Sequence, residues 1–308
     1  MVTLNKEKII PCDFSKYNLS DTGFFTPLPI DVVRLCLTSF PYDPKNGKEI
    51  IYSIAKTLAG YYVFLDSARG KPNPGNTYDA IDVVNSLEAL LKREFKTDYD
   101  FTLNVTDILD QLKDAHTQFR PFCYKNFVFL QGIDLYSVVD SNGQQSIKVL
   151  DDFFDHTNKD CNILQINGAP ALQAIKQYAD KNIGLVRDLG VRFNLALTSL
   201  SFKGSKEFSN YFSRRQYLPP TNEISYTLLC NGKKKNVIRA WTACGYNNAI
   251  SSVKNSKAYW NQNCLPSSDT QLQYRDLKSG FTTQGRLTTE DNICGTINPS
   301  IIESIDET

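Results

Sequence analysis

Apolar residues recur at helical spacing through the first part of the chain. Ile51, Ile54, Ala55, Leu58, Tyr62 and Leu65 share one helical face, which predicts an amphipathic helix. The run Gly70-Lys71-Pro72-Asn73-Pro74-Gly75 breaks it. A second stripe follows with Ile81, Val84, Leu87, Leu91 and Phe95, and a third from Leu103 to Leu112 with Ile108 and Leu109. Such stripes bury against a core, and we read no cofactor site into them.

The period changes after His116. Phe127 to Leu130 and Leu135 to Val139 are rich in β formers. Asn142-Gly143 lies between Val138-Val139 and Ile147-Val149, and Asn231-Gly232 joins Ile224–Cys230 to Asn236–Trp241. Both are hairpin patterns, because Asn-Gly accepts the positive φ that tight turns need. Between them Ile163-Leu164-Gln165-Ile166 predicts a short strand. Asn167-Gly168 predicts a turn, and Pro170 opens a helix whose buried face is Ala171, Leu172, Ile175 and Tyr178. From about Ser251 the chain turns polar, which predicts an extended, partly disordered linker. The fold class expected is α+β: a helical part over 1–122, a small β-rich part over 123–250 and a polar linker over 251–308.

Composition narrows the function. A formal charge of +1, from 34 basic and 33 acidic residues, gives no electrostatic case for nucleic acid as a partner. No apolar run approaches the ~20 residues of a membrane span. The eight cysteines form no C-x-x-C pair, so a zinc ribbon or redox motif is not expected. Their even count leaves on the order of a hundred disulfide pairings open. With the sequons at Asn18 and Asn104 they point to an oxidising, extracellular compartment and a disulfide-bonded glycoprotein, with a cytoplasmic location as the alternative. The first ten residues lack the apolar core of a signal peptide. No G-x-G-x-x-G or P-loop occurs, and the two histidines lie far apart, so we expect no metal or other cofactor.

Those histidines concentrate the candidate chemistry. His156, in the acidic loop Asp152–Asp160, reads as a solvated side chain. His116 stands in Leu112-Lys113-Asp114-Ala115-His116-Thr117, where a helix is expected to give way to a strand. An imidazole there takes a proton from a hydroxyl near neutral pH.

The segment Asp114-Ala115-His116-Thr117 resembles the catalytic-histidine segment of the tail-specific (C-terminal processing) serine peptidases. It is most similar to the branch of chlamydial protease-like activity factor and its secreted eukaryotic relatives. The same order is kept by Asp31–Pro41, Asp98–Phe101, Phe119–Cys123, Ile163–Gly168, Arg192–Asn194 and Phe212–Arg215, so the resemblance spans residues 28 to 245. It implies a PDZ-like module over 123–250 and a Ser-His-Glu arrangement with His116 as general base. The serine and glutamate are expected in a catalytic core after the module. No serine in this chain sits in the strained, glycine-flanked turn a nucleophile needs. The nearest, Ser205, reads as a loop serine, and neither Glu303 nor Glu307 is assigned as the third member. The resemblance therefore implies the N-terminal region of a serine endopeptidase, inactive by itself. Its partner is a polypeptide substrate or its own catalytic core. The alternative is a non-enzymatic peptide- or protein-binding module of the same descent.

Overall fold

The computed structural model describes residues 10–17, 25–72, 78–200, 206–207, 210–265 and Cys294. Ser205, Glu303, Glu307 and the Asn18 sequon lie outside the described residues.

The chain opens with strand β1 (Phe25–Pro29), followed by helices α1 (Ile30–Leu37), α2 (Pro44–Tyr61), α3 (Leu65–Arg69), α4 (Val83–Ala89) and α5 (Asp98–Asp110). Their starts follow from the sequence. Asp43 accepts a hydrogen bond from the Lys45 N–H ahead of Pro44, Asp82 from Asn85, and Thr97 from Asp100, each satisfying an N–H that a helix leaves open. The expected helix through Leu65 is split: α2 ends at Tyr61, and Leu65 begins α3.

The β-rich part runs β2 (Phe127–Leu130), β3 (Ile133–Val139), β4 (Gln145–Asp152), β5 (Asn162–Ile166), β6 (Ala169–Pro170), α6 (Ala171–Asn182) and α7 (Leu189–Ala196). It continues with β7 (Ser199–Leu200), β8 (Lys206–Glu207), β9 (Arg214–Arg215), β10 (Glu223–Cys230), β11 (Lys233–Ala240) and β12 (Thr242–Tyr246). The main sheet is antiparallel in the order β11-β10-β5-β4-β3, with β6 paired to β5. Asn231 and Gly232 both take positive φ, 49° and 77°, between β10 and β11. Asn167 and Gly168 do the same, 50° and 81°, between β5 and β6. These are the turns in which only Asn, Asp or Gly sits without strain. Ala171, Ile175 and Ala179 form the stripe by which α6 packs on the sheet. The α+β class expected from the sequence is the class observed.

The linker expectation fails at its start. Helix α8 (Asn247–Ile250) lies just ahead of the expected linker, and within it Ser256–Asn263 form α9. Tyr259 of α9 is fully buried, stacks on Phe40 and Phe127, and donates from its hydroxyl to the Cys123 carbonyl at 2.7 Å. The polar faces of α9 hid one aromatic anchor, and the anchor suffices because Cys264 is bonded to Cys123. Residues 266–308, apart from Cys294, lie outside the described residues.

The buried side chains divide the molecule along a different line from a cut at residue 122. One core joins Ile51, Leu58, Val83, Leu87, Phe101 and Val105 within α2–α5. The larger core joins the sheet, α6 and α7 to Cys12, Phe14, α1 and Phe40 from the beginning of the chain. Strand β1 explains this, since it pairs antiparallel with β12 from Phe25↔Tyr246 to Pro29↔Thr242. Pro27 and Pro29 are tolerated because β1 is an edge strand.

The described cysteines are all paired: Cys12–Cys36, Cys123–Cys264, Cys161–Cys230 and Cys244–Cys294. Cys123–Cys264 closes a separation of 141 residues. Closing loops of that order removes about 5 kcal/mol of unfolded-chain entropy in the loop-closure picture. Among the described residues no helix is long and apolar enough to cross a membrane.

Candidate functional site

Helix α5 stops at Asp110, and the strand that follows begins only at Phe127. His116 therefore sits in an irregular connection, further from any strand than its sequence context predicts. The connection is pinned just ahead of it. Lys113 takes a positive φ of 53° and is 9% exposed. Its Nζ donates to the Asp180 carbonyl at 2.7 Å and the Ile183 carbonyl at 3.3 Å. Those carbonyls end α6, where the helix dipole favours a cation. Arg192, with no exposed surface, donates to the Ala179 and Asp180 carbonyls and to the Asp180 carboxylate. Burial, then the Arg192 charge, hold Lys113 below its ordinary pKa. The histidine connection and the helix of the β-rich part thus share one buried polar joint.

The next turn is organised by Asp114. Its Oδ1 accepts from the His116 backbone N–H at 3.0 Å and lies 3.2 Å from His116 Nδ1. Its Oδ2 accepts from the Tyr62 hydroxyl at 3.0 Å and the Thr117 hydroxyl at 3.2 Å. Burial alone raises the Asp114 carboxyl. The hydrogen bonds from His116, Tyr62 and Thr117 outweigh it and leave the group below the usual carboxylate value. The same contact acts in reverse on Tyr62, which burial and then the Asp114 charge push up to about 12. The His116 side chain is 79% exposed. A carboxylate at Nδ1 favours the tautomer with its proton there, which leaves Nε2 as the acceptor.

Among the described residues no hydroxyl or thiol bonds His116. The cysteines are oxidised and offer no thiolate. His156 stands on a 3-10 turn, 78% exposed, with Nδ1 3.3 Å from Asp151 Oδ1. A paired carboxylate at that histidine was not foreseen, although Asp151 precedes it by one turn of chain. The described residues contain no group of three His, Cys, Asp or Glu side chains placed to hold a metal. Asn104 of the second sequon lies within α5. Its amide donates to the Asp100 carbonyl and its Oδ1 accepts from Arg93.

Residues 128–246 match the family model of the CPAF-like PDZ domain. This stretch is a CPAF-like PDZ domain. It runs from β2 to β12 and contains the sheet, α6 and α7, which relates the chain to CPAF, the chlamydial protease-like activity factor, as the sequence resemblance implied. Among solved structures, mature CPAF is similar at 13% identity and a TM-score of 0.43, covering 64% of this chain and 34% of that one. Mature CPAF complexed with lactacystin is similar at 14% and 0.44, covering 80% and 42%. The chain thus spans between a third and a half of the length of those CPAF chains. No curated protein matches it.

Proposed function

We propose that this chain is the N-terminal region of a serine endopeptidase in which His116 is the general base. The observation that carries the reading is the Asp114–His116 contact. It fixes Nδ1 at a carboxylate that Tyr62 and Thr117 hold in place, and it leaves the ring exposed to a partner. In a serine hydrolase, Nε2 of such a ring takes the serine proton while the carboxylate stabilises the imidazolium. The serine and the oxyanion donors come from a catalytic core outside the described residues. The glutamate implied by the family resemblance would address the same imidazole. In this chain Asp114 already holds Nδ1, and we assign it the orienting role. The four disulfides support an oxidising, extracellular setting.

The test joins this chain to the catalytic core and measures peptide hydrolysis. His116→Ala is expected to lower kcat by on the order of 10⁶, and His156→Ala to leave it unchanged. Full activity in His116→Ala overturns the assignment. No hydrolysis by the joined parent polypeptide would instead favour the second reading, a non-enzymatic binding module. What supports that reading is that no described nucleophile touches His116, while the CPAF-like PDZ domain spans residues 128–246.

A further inference from the structure

A cleft of about 470 Å³ opens between α5, the residues after α6 and the segment 211–220. Its size falls within the roughly 300–1,000 Å³ typical of small-ligand sites. It lies apart from the histidine machinery, since neither His116 nor Asp114 lines it.

Two side chains of opposite charge line the cleft without a charged partner among the described residues. Arg215 is set in an aromatic cage. Its guanidinium carbon is 4.6 Å from the Tyr178 ring centre, 4.7 Å from Trp241 and 5.6 Å from Phe212. Only its Nε is engaged, donating to the Phe212 carbonyl at 3.2 Å. The two terminal nitrogens have no protein acceptor among the described residues, and burial holds the group below its ordinary pKa. Arg215 is partly exposed, and a cation partly withdrawn from water with no counter-charge beside it favours an incoming anion. On the α5 wall, the Asp110 carboxylate makes no hydrogen bond among the described residues. Burial first, then Asp107, push it up to about 6 against the pull of Lys113 and Arg120. Gly184 closes on it so tightly that an added Cβ would come within 2.7 Å.

We infer that this cleft binds a carboxylate-bearing ligand, received by the free edge of the Arg215 guanidinium. The planar fork of an arginine matches a carboxylate with two parallel hydrogen bonds. Asp107 and Asp110 oppose a second ligand charge on the α5 wall, while Arg120, Lys181 and Arg214 also line the cleft, so phosphate is included among the probes. Tyr211 and Tyr217 also line the cleft and supply flat, apolar surface for the body of the ligand, so an acid carrying an aromatic or acyl group fits better than a bare anion. A free organic acid and the acidic side chain of a peptide share this chemistry. The inference does not depend on His116 and is testable with the chain as it stands.

Calorimetric titration uses four probes: N-acetylphenylalanine, its amide, the tripeptide acetyl-Ala-Glu-Ala-amide, and inorganic phosphate. A carboxylate probe is expected to bind, with the amide weaker by about tenfold or more, the scale of a lost charge-assisted hydrogen bond. Binding of N-acetylphenylalanine alone assigns a free acid, and binding of the tripeptide alone assigns an acidic side chain. Arg215→Gln should lose about tenfold or more. Because Arg215 also packs among three rings, Asp110→Asn reads the site without disturbing the cage. Removing that like charge should tighten carboxylate binding severalfold. The inference is overturned if neither carboxylate probe binds, if acid and amide bind alike, or if phosphate binds tighter than both carboxylate probes. Unchanged affinity in Asp110→Asn, or in a folded Arg215→Gln, overturns it equally.

Discussion

The two histidines of this chain are close to a matched pair. Each is nearly four-fifths exposed, and each has Nδ1 just over 3 Å from an aspartate oxygen, Asp114 for His116 and Asp151 for His156. A His–Asp contact therefore does not single out a catalytic group. The difference lies one layer further out. The Asp114 side chain is 21% exposed and accepts hydroxyls from α2's end and from its own turn, while Asp151 is 41% exposed and accepts the neighbouring Asp152 N–H. The connection carrying His116 is also nailed to α6 through Lys113. A general base has to keep its geometry while a substrate comes and goes, and the Asp114–His116 pair is built for that.

The sharpest way to break this comparison is to change both aspartates in the polypeptide that carries the catalytic core. Asp114→Asn removes the charge that stabilises an imidazolium. It is expected to lower kcat/KM by about 10- to 100-fold, less than for a fully buried triad carboxylate because the ring is solvated. Asp151→Asn should leave hydrolysis unchanged. Equal effects from the two substitutions would mean that the outer layer around Asp114 does not matter.

The next effect is on stability. Lys113→Met keeps the length of the side chain and loses its charge and its donors to the Asp180 and Ile183 carbonyls. Losing hydrogen bonds from a charged donor to two carbonyls at the end of α6 should cost about 2 kcal/mol in urea unfolding. Hydrogen exchange should quicken at the end of α6 and at His116 together if the two share one joint. Faster exchange at α6 alone would show that the histidine connection does not depend on it.

Local chemistry was legible in the sequence, and long-range assembly was not. Asn231-Gly232 and Asn167-Gly168 announced their turns because positive φ leaves few residue choices. Of the α6 stripe, Ala171 and Ile175 were readable from the period of 3.6, but Leu172, expected on the buried face, is exposed and Ala179 takes its place in the core. Strand β1 was missed because its partner β12 lies over 200 residues away in the chain and its prolines argue against a central strand. Helix α9 was missed because one buried tyrosine and one disulfide leave almost no periodic trace. At the site, His116 was found and its anchors were not. Tyr62 reads as one more apolar position in the α2 stripe, and nothing local tells that its hydroxyl reaches across 52 residues to Asp114. The charged walls of the cleft were invisible for the same reason. Arg215 belonged to a matching segment, and its cage is assembled by α6, β9 and the residue before β12.

The smallest effect expected is also the most specific to the outer layer. Asp114 is held below its unfolded value of roughly 3.9 by hydrogen bonds it has only in the folded chain. Between the folded and unfolded values the unfolded chain binds more protons, so stability rises with pH there. The Asp114 contribution is complete above about pH 4 and disappears as the pH falls through the folded value. Asp114→Asn should therefore be less stable than the parent near neutral pH and converge on it at the acid end of a urea series. Tyr62→Phe removes one of the hydrogen bonds and should fall between the two. If Asp114→Asn runs parallel to the parent down to the acid end, its carboxylate is not held by Tyr62 and Thr117. The hydroxyls around Asp114 would then not be what sets His116 apart from His156.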